Sequence, residues 1–260
     1  MKTYFASDFH LGAPDKEISL ERERRIIRWL DFIKADAEAL YLLGDIFDFW
    51  YEWNNVIPKG FYRFFNKLAE LTEAGIKIYY FTGNHDVWQY HYLKDEFGIE
   101  VYGKPRHCEI HGKRIYMGHG DGLGSGSAGY AFIKWVFTNK VTQFLYTNFF
   151  HPNFAMWIGF KWSASRHQYT RKTLPFQGDN EHIIKYIRSI EAQEKADCYI
   201  FGHRHIEVEH DLGAGKKYIN TGAWYHKSPY AVMDEDGEVR LKEFEEDGEV
   251  RLKEFEEDGK

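Results

Sequence analysis

Five clusters along this chain carry side chains that can hold divalent cations: Asp8 with His10, Asp45 with Asp48, Asn84 with His85, His119, and His203 with His205. Each stands at the end of a short apolar run, such as Ala39-Leu40-Tyr41-Leu42-Leu43 before Gly44 and Asp45. Runs of that length read as buried strands, and parallel strands carry functional groups where they run out into loops. Singly, every cluster has a plainer explanation. Gly-Asp is common turn chemistry, a buried histidine often only hydrogen-bonds, and an Asp before a loop often caps a helix. Five such coincidences at five strand ends are a poorer account than one site. Imidazole nitrogen mixed with carboxylate and amide oxygen suits Mn, Fe, Zn or Co better than Ca or Mg, and there is no thiolate set for a structural zinc site. One carboxylate shared by two such cations gives the arrangement of two-metal phosphoryl chemistry, with ions about 3.5–4 Å apart.

The elements that must position these residues follow in order. Residues 2–6 form a first strand, and Asp8 and His10, two apart, are expected to point the same way from an extended chain. A helix is predicted from Ser19 to Ala35, with Ile26, Ile27, Leu30 and Ile33 on one face. After the strand before Asp45 comes a helix from Phe61 to Glu73, stopped by Gly75, and then a strand from Ile76 to Phe81. This β-α-β-α-β order implies a largely parallel sheet with right-handed crossovers. The second half reads differently. A hairpin of residues 108–110 and 114–117 leads into His119, and an amphipathic helix from Asn180 to Gln193 precedes a strand from Cys198 to Phe201. Another hairpin pairs residues 208–212 with 218–220, and strands near Tyr230, Val239 and Val250 close the chain through Asp-Gly turns. Residues 236–246 recur letter for letter as 247–257, which reads as a duplicated terminal β-segment without a function of its own.

Composition bounds the partners. With 260 residues, 43% of them hydrophobic and 28% charged, the chain is expected to fold as one soluble domain spanning 1–260. A formal net charge of -6 argues against a nonspecific nucleic-acid binder, and Cys108 and Cys198 give no disulfide framework. Met1 and Lys2 run straight into the first strand without an apolar signal region, so the cytoplasm is the expected compartment. Charge is unevenly spread. From Gly122 to Gly178 there is no Asp or Glu but six Lys and Arg, so the remainder carries -12 against the total of -6. This basic, aromatic insert is a partner signal. Residues 141–160 lack any Lys, Arg, Asp or Glu, enough by length for a membrane span, but Pro152 should split them into two helices. An amphipathic lid is the better reading.

The motifs Asp-x-His, Gly-Asp-x-x-Asp, Gly-Asn-His-Asp, Gly-His and Gly-His-x-His, in that order from Asp8 to His205, resemble those of the calcineurin-like metallophosphoesterases. The resemblance covers residues 1–224 and implies an α/β four-layer sandwich, two mixed β-sheets face to face with helices outside. It implies two divalent metal ions, Mn²⁺ foremost with Fe, Zn or Co as alternatives. One ion would take Asp8, His10, Asp45 and His205, and the other Asp45, Asn84, His119 and His203. A water between them would be the nucleophile, His85 the general acid or oxyanion stabiliser, and Asp48 its orienting partner.

A helical lid insert over 122–178 is similar to that of the bacterial UDP-2,3-diacylglucosamine diphosphatases of lipid A synthesis, whose better-known members carry Arg where this chain has His85. That likeness implies cleavage to UMP and 2,3-diacylglucosamine 1-phosphate on the cytoplasmic face of the inner membrane, with anionic lipid as a peripheral partner. Substrate contacts are then expected from Asn84, Ser165, Arg171 and Lys172. Phe132, Trp135, Phe149, Phe150, Phe154, Trp157 and Trp162 would form an apolar slot for acyl chains. Two other readings stand beside it: a diesterase or phosphatase for another lipid or nucleotide, and a noncatalytic binding module on the same fold. Oligomeric state is left open.

Overall fold

The computed structural model describes residues 1–124, 128–166, 175–193, 195–245 and 250–252. Strands β1 (Lys2–Ala6), β2 (Ala37–Leu43), β3 (Lys77–Phe81) and β4 (Glu100–Tyr102) run parallel and neighbour one another in that order. Helices α1 (Lys16–Ile33), α2 (Tyr62–Glu73) and α3 (Tyr92–Phe97) make the crossovers. A second sheet follows, with β5 (Arg106–Ile110) and β6 (Lys113–Gly118) as an antiparallel hairpin. Beside β6 lies β7 (Cys198–Phe201), and the hairpin of β8 (Glu207–Gly213) and β9 (Lys216–Thr221) completes the order β5-β6-β7-β9-β8. The chain then returns to the first sheet, adding β10 (Pro229–Met233), β11 (Val239–Phe244) and β12 (Val250–Leu252) antiparallel along the free side of β1. Both sheets are mixed, as expected.

Strand alternation explains the layering. Phe5, Tyr41, Leu43 and Phe81 on one face of the first sheet pack with Ile115, Met117, Ile200 and Ile219 of the second. On the opposite face, Tyr4, Leu40, Leu42 and Ile78 meet Ile26, Trp29 and Leu30 of α1 and Phe64 and Leu68 of α2. Helix α7 (His182–Ile190) covers the outer face of the second sheet through Ile183, Ile184 and Ile187. Between β6 and β7 the chain leaves this sandwich for α4 (Ala128–Thr138), α5 (Lys140–Phe149) and α6 (Pro152–Arg166). Pro152 opens α6, where its missing N–H costs nothing, so the uncharged stretch is two helices. No helix among the described residues is long and apolar enough to cross a membrane.

The sequence reading departs from the structure in places with simple causes. Helix α1 starts earlier than Ser19, because the Asp15 side chain caps it by accepting from the Ile18 N–H at 2.9 Å. The expected helix from Asn180 to Gln193 is shorter, preceded by a 3₁₀ turn over Gly178–Asn180. Helix α3 and strand β4 were not expected, being six and three residues long. Of the second repeat copy, residues 250–252 form β12, and residues 247–249 and 253–257 lie outside the described residues.

Candidate active site

The five clusters leave β1, β2, β3, β6 and β7 and converge at one edge of the two sheets. Their backbone is not extended. Asp8, His10, Asp45, His203 and His205 all adopt left-handed φ, between 44° and 68°, so Asp8 and His10 meet through a turn and not by strand alternation. Non-glycine residues held there cost on the order of 1–3 kcal/mol each, and such strain gathers at functional sites. The motif glycines make room for this crowding. A Cβ on Gly83 would run into Asp45 Oδ1, and one on Gly202 would run into Ser7 and Asp8.

Donor atoms face one another in two groups. In the first, His205 Nε2 lies 3.0 Å from Asp8 Oδ1 and 3.2 Å from His10 Nε2, with Asp45 Oδ2 at 3.9 Å from His10 Nε2. In the second, His119 Nε2 lies 3.2 Å from both Asp45 Oδ2 and His203 Nδ1. Asp45 Oδ2 therefore belongs to both groups, while its Oδ1 accepts the His85 N–H at 2.9 Å. Tautomers sharpen the picture. His119 Nδ1 donates to the Leu43 carbonyl at 2.8 Å, so the neutral ring turns the bare lone pair of Nε2 toward a carboxylate. A lone pair facing a carboxylate is repulsive unless a cation lies between them. Asp8 Oδ1 and Asn84 Oδ1 are likewise buried oxygens without a hydrogen-bond partner. The donor set of nitrogen and oxygen thus fits divalent cations, with Asn84 following β3 as the amide donor.

Charge tells the same story. Burial works against protonating His119, yet Asp45 and Asp8 beside it push its pKa up to about 10. His10 is buried too, and Asp48, Asp8 and Asp45 raise it to about 9. Burial also opposes the charge of Asp8, but His205 and His10 hold it well below the usual carboxylate range. These carboxylates demand positive charge, from protons or from metal.

His85 stands outside these two groups, in a third cluster of possible donors with His10 and Asp48. Its Nδ1 donates to the Asp48 backbone carbonyl at 2.7 Å, whereas the Asp48 carboxylate is 3.9 Å away. Asp48, expected to orient His85, thus meets it through the main-chain carbonyl and not through its carboxylate. The Asp48 carboxylate instead turns Oδ1 to His10 Nδ1 at 3.4 Å and accepts from Ser163 Oγ at 2.7 Å on Oδ2. Three residues that sequence reasoning passed over support this setting. Asp86, the last residue of the Gly-Asn-His-Asp motif, accepts from the N–H groups of Gly83 and Ile46 at 2.7 and 2.8 Å, tying the ends of β2 and β3 together. Tyr225 stacks on His10, and Arg22 donates to the carbonyls of Phe9, His10 and Ala13. Only Asp86 had a sequence signal, its place in the motif.

The insertion borders this site. Phe49, Tyr51 and Trp88 of the sandwich and Phe137, Tyr146 and Trp162 of α4–α6 enclose an apolar cavity of about 190 Å³. Trp162 also lies 5.6 Å from His85, ring centre to ring centre. Of the aromatics expected to form the slot, Trp162 alone lines this cavity. Trp135 and Phe150 are 56% and 38% exposed and stand on the outer surface. Their neighbours explain it: Trp135 stacks on Phe132, and Phe150 stacks in series with Phe154 and Trp157. The inward positions are held by Val136, Phe137 and Tyr146. Ser165 falls in the last turn of α6, and Arg171 and Lys172 lie outside the described residues.

Comparison with known proteins places this geometry. The chain matches the family of calcineurin-like phosphoesterases over residues 1–207. It is 36% identical over 247 residues to a UDP-2,3-diacylglucosamine hydrolase from Porphyromonas gingivalis, which covers 90% of this chain and 94% of that protein. A protein of the same name from Aeromonas hydrophila is 27% identical over 258 residues, 94% of this chain and 98% of its own. Among solved structures, a single mutant of Entamoeba histolytica Vps29 aligns over 97% of both chains, with 14% identity and a TM-score of 0.46. The matched span holds every candidate metal ligand from Asp8 to His205, and the chain is a hydrolase belonging to the calcineurin-like phosphoesterase family.

Proposed function

We propose that this protein hydrolyses the pyrophosphate of UDP-2,3-diacylglucosamine, giving UMP and 2,3-diacylglucosamine 1-phosphate for lipid A synthesis. The observation that carries the proposal is the 36% identity to the Porphyromonas gingivalis hydrolase across nearly the whole of both chains. The site supports it, because a substrate with acyl chains beside a pyrophosphate asks for an apolar cavity beside a cation-binding cluster. Trp162 forms the shared wall of the two.

Two divalent cations, Mn²⁺ foremost, would be held by Asp8, His10, Asp45 and His205 and by Asp45, Asn84, His119 and His203. When bound they supply Lewis acidity to the phosphate oxygens and acidity to the attacking water. The chain's own part is positioning and proton handling. His85 is fixed through Nδ1, which leaves Nε2 to hold a proton for the departing oxygen as the P–O bond of the anhydride breaks. Burial lowers the pKa of His85, so the protonated ring releases its proton readily. Asn84, Ser165, Arg171 and Lys172 would contact the polar half of the substrate.

The helical insertion would serve as lid and membrane contact. Phe132, Trp135, Phe149, Phe154 and Trp157 offer apolar side chains to a bilayer, with the exposed Lys140 and Lys161 set for anionic headgroups. This surface supports a peripheral membrane position, and the proposed substrate puts it on the cytoplasmic face of the inner membrane. The test is incubation of the Mn²⁺-loaded protein with UDP-2,3-diacylglucosamine, with products identified by mass. UMP and the sugar phosphate in equal amounts are expected. Binding without turnover would favour a noncatalytic module, and turnover only of other phosphoesters would favour a diesterase or phosphatase.

A further inference from the structure

Helix α6 meets the sandwich along one stripe. Ala155, Gly159 and Ser163 are four residues apart and so lie one above another on the same face. Ala155 and Ser163 are completely buried, and a Cβ on Gly159 would run into the ring of Phe49. The absence of that Cβ lets the helix approach closely enough for Ser163 to reach Asp48, the residue before Phe49. Ser163 Oγ donates to Asp48 Oδ2 at 2.7 Å and lies 3.3 Å from His85 Nδ1. Its single proton is committed to the carboxylate, so toward His85 the hydroxyl is an acceptor.

Asp48 is consequently a junction. Its carbonyl receives His85 Nδ1, one carboxylate oxygen faces His10 Nδ1, and the other receives Ser163. Without the serine, the buried carboxylate would lose the hydrogen bond that fixes Oδ2, and His85 Nδ1 would lose the hydroxyl 3.3 Å away. A hydroxyl on the helical insertion thus holds the group that holds the acid.

We propose that Ser163 is a positioning residue, through which docking of α6 sets Asp48 and His85, so that the acid is in place only when this lid helix is seated. The proposal rests on the role given to His85 in the reaction proposed above. It assigns a task to a part of the insertion distinct from contact with acyl chains or membrane.

The first arm of the test is a double-mutant cycle with the Mn²⁺-loaded protein and UDP-2,3-diacylglucosamine. Ser163→Ala is expected to lower kcat about tenfold, as loss of a hydrogen bond to a charged group does, with KM changed less than about twofold. In a His85→Ala background the same substitution should change kcat less than about twofold, because its route of action is already gone. Ser163→Cys, close in size, should recover part of the loss. An equal tenfold loss in both backgrounds, or full activity in Ser163→Ala, would overturn the proposal. The second arm needs no substrate. Amide hydrogen exchange across residues 155–163 should rise about tenfold in Ser163→Ala and in Asp48→Asn, and also in Gly159→Ala, whose methyl meets Phe49. Unchanged exchange in Ser163→Ala overturns the link between lid and acid. Should the wild type give no UMP while exchange rises as stated, the substrate reading fails and the link stands.

Discussion

The strand-end cluster buries charge that an apolar interior would reject, and the helical insertion exposes apolar rings that water would drive inward. Asp8, His10, Asp45 and His119 are all but completely buried. Phe132, Phe149 and Trp157 are more than half exposed. Each region breaks the rule that governs the rest of the molecule, and each break names a partner of opposite character. Buried donors ask for cations, and exposed rings ask for an apolar partner, which in the function proposed above is lipid. The difference lies in how tightly each is built. The cluster stands on five strand ends with strained backbone and motif glycines that allow no Cβ. The insertion stands on helices that meet the sandwich through a few specific contacts, such as the Trp88 indole donating to the Phe137 carbonyl at 3.0 Å. Local rules fail where function is placed, and the two failures are of opposite sign.

The largest effect is expected at Asp45. Its Oδ2 faces both donor groups, so Asp45→Asn should remove metal from both and lower activity by at least about 10³-fold, more than His10→Asn, which touches one group. Metal analysis of the purified variants checks this, and full occupancy in Asp45→Asn would show that the carboxylate is not shared. Next comes His85→Ala, with turnover expected to fall roughly 10²–10⁴-fold while metal content stays near wild type. Parallel loss of metal would make His85 a ligand.

Proton competition sharpens the same point. His10 and His119, raised to about 9 and about 10 from 6.5, stabilise the metal-free fold below pH 6.5, and that contribution fades as pH rises through those values. Asp8, held below 3.8, contributes above that pH and loses its contribution as pH falls. A divalent cation displaces the two imidazole protons, so the rise in Tm caused by Mn²⁺ should be larger at about pH 9 than at about pH 6. Calorimetry with and without metal measures it, and equal rises would mean that the imidazoles give up no proton on binding.

Sequence carried the cluster further than the insertion. Strand runs ending in Asp, Asn and His are local features, so every member of the two donor groups was legible before the sheets were seen. The backbone under them was not, because Asp and His tolerate left-handed φ better than most residues but do not require it, so residue type alone does not place it at Asp8 or His203. On the insertion, helix existence followed from composition and from Pro152, but facing did not. Trp135 and Phe150 were assigned to a slot because they are apolar, and packing reserves the inward positions for Val136, Phe137 and Tyr146. Ser163 was invisible for a related reason: its contact with Asp48 spans 115 residues and exists only once α6 has docked.

The outward rings give the next, smaller effect. Trp135→Ala and Phe150→Ala should each weaken binding to anionic vesicles by about tenfold, since burying an aromatic side chain is worth roughly 1.5–3 kcal/mol when complete and these would be only partly inserted. Neither lines the cavity, so turnover of substrate dispersed in detergent should stay within about twofold. Vesicle sedimentation separates the two readouts. Equal losses in vesicles and detergent would mean that the rings hold the insertion together instead of meeting a bilayer.

The smallest effect is expected at the chain's end, where a perfect repeat invites a functional reading. Among the described residues, strand β12 pairs only with β11, through Lys242 with Leu252, Glu243 with Arg251 and Phe244 with Val250. Two strands, β11 and β10, separate it from β1, whose exit carries Asp8 and His10. The first copy does the structural task, since Val239, Leu241 and Phe244 of β11 are buried in the two cores and β11 stays paired to β10 over five residues. Truncation after Glu246 therefore removes an edge pairing of about 1 kcal/mol and no candidate ligand, a shift in Tm of about 2–4 °C for a chain of this size. Metal content and turnover should match the full chain. If a folded, monodisperse truncation lost its metal or its activity, the edge strand would have to act on the strand-end cluster through β11 and β10, and the contrast between a rigid cluster and a dispensable periphery would fail at that point.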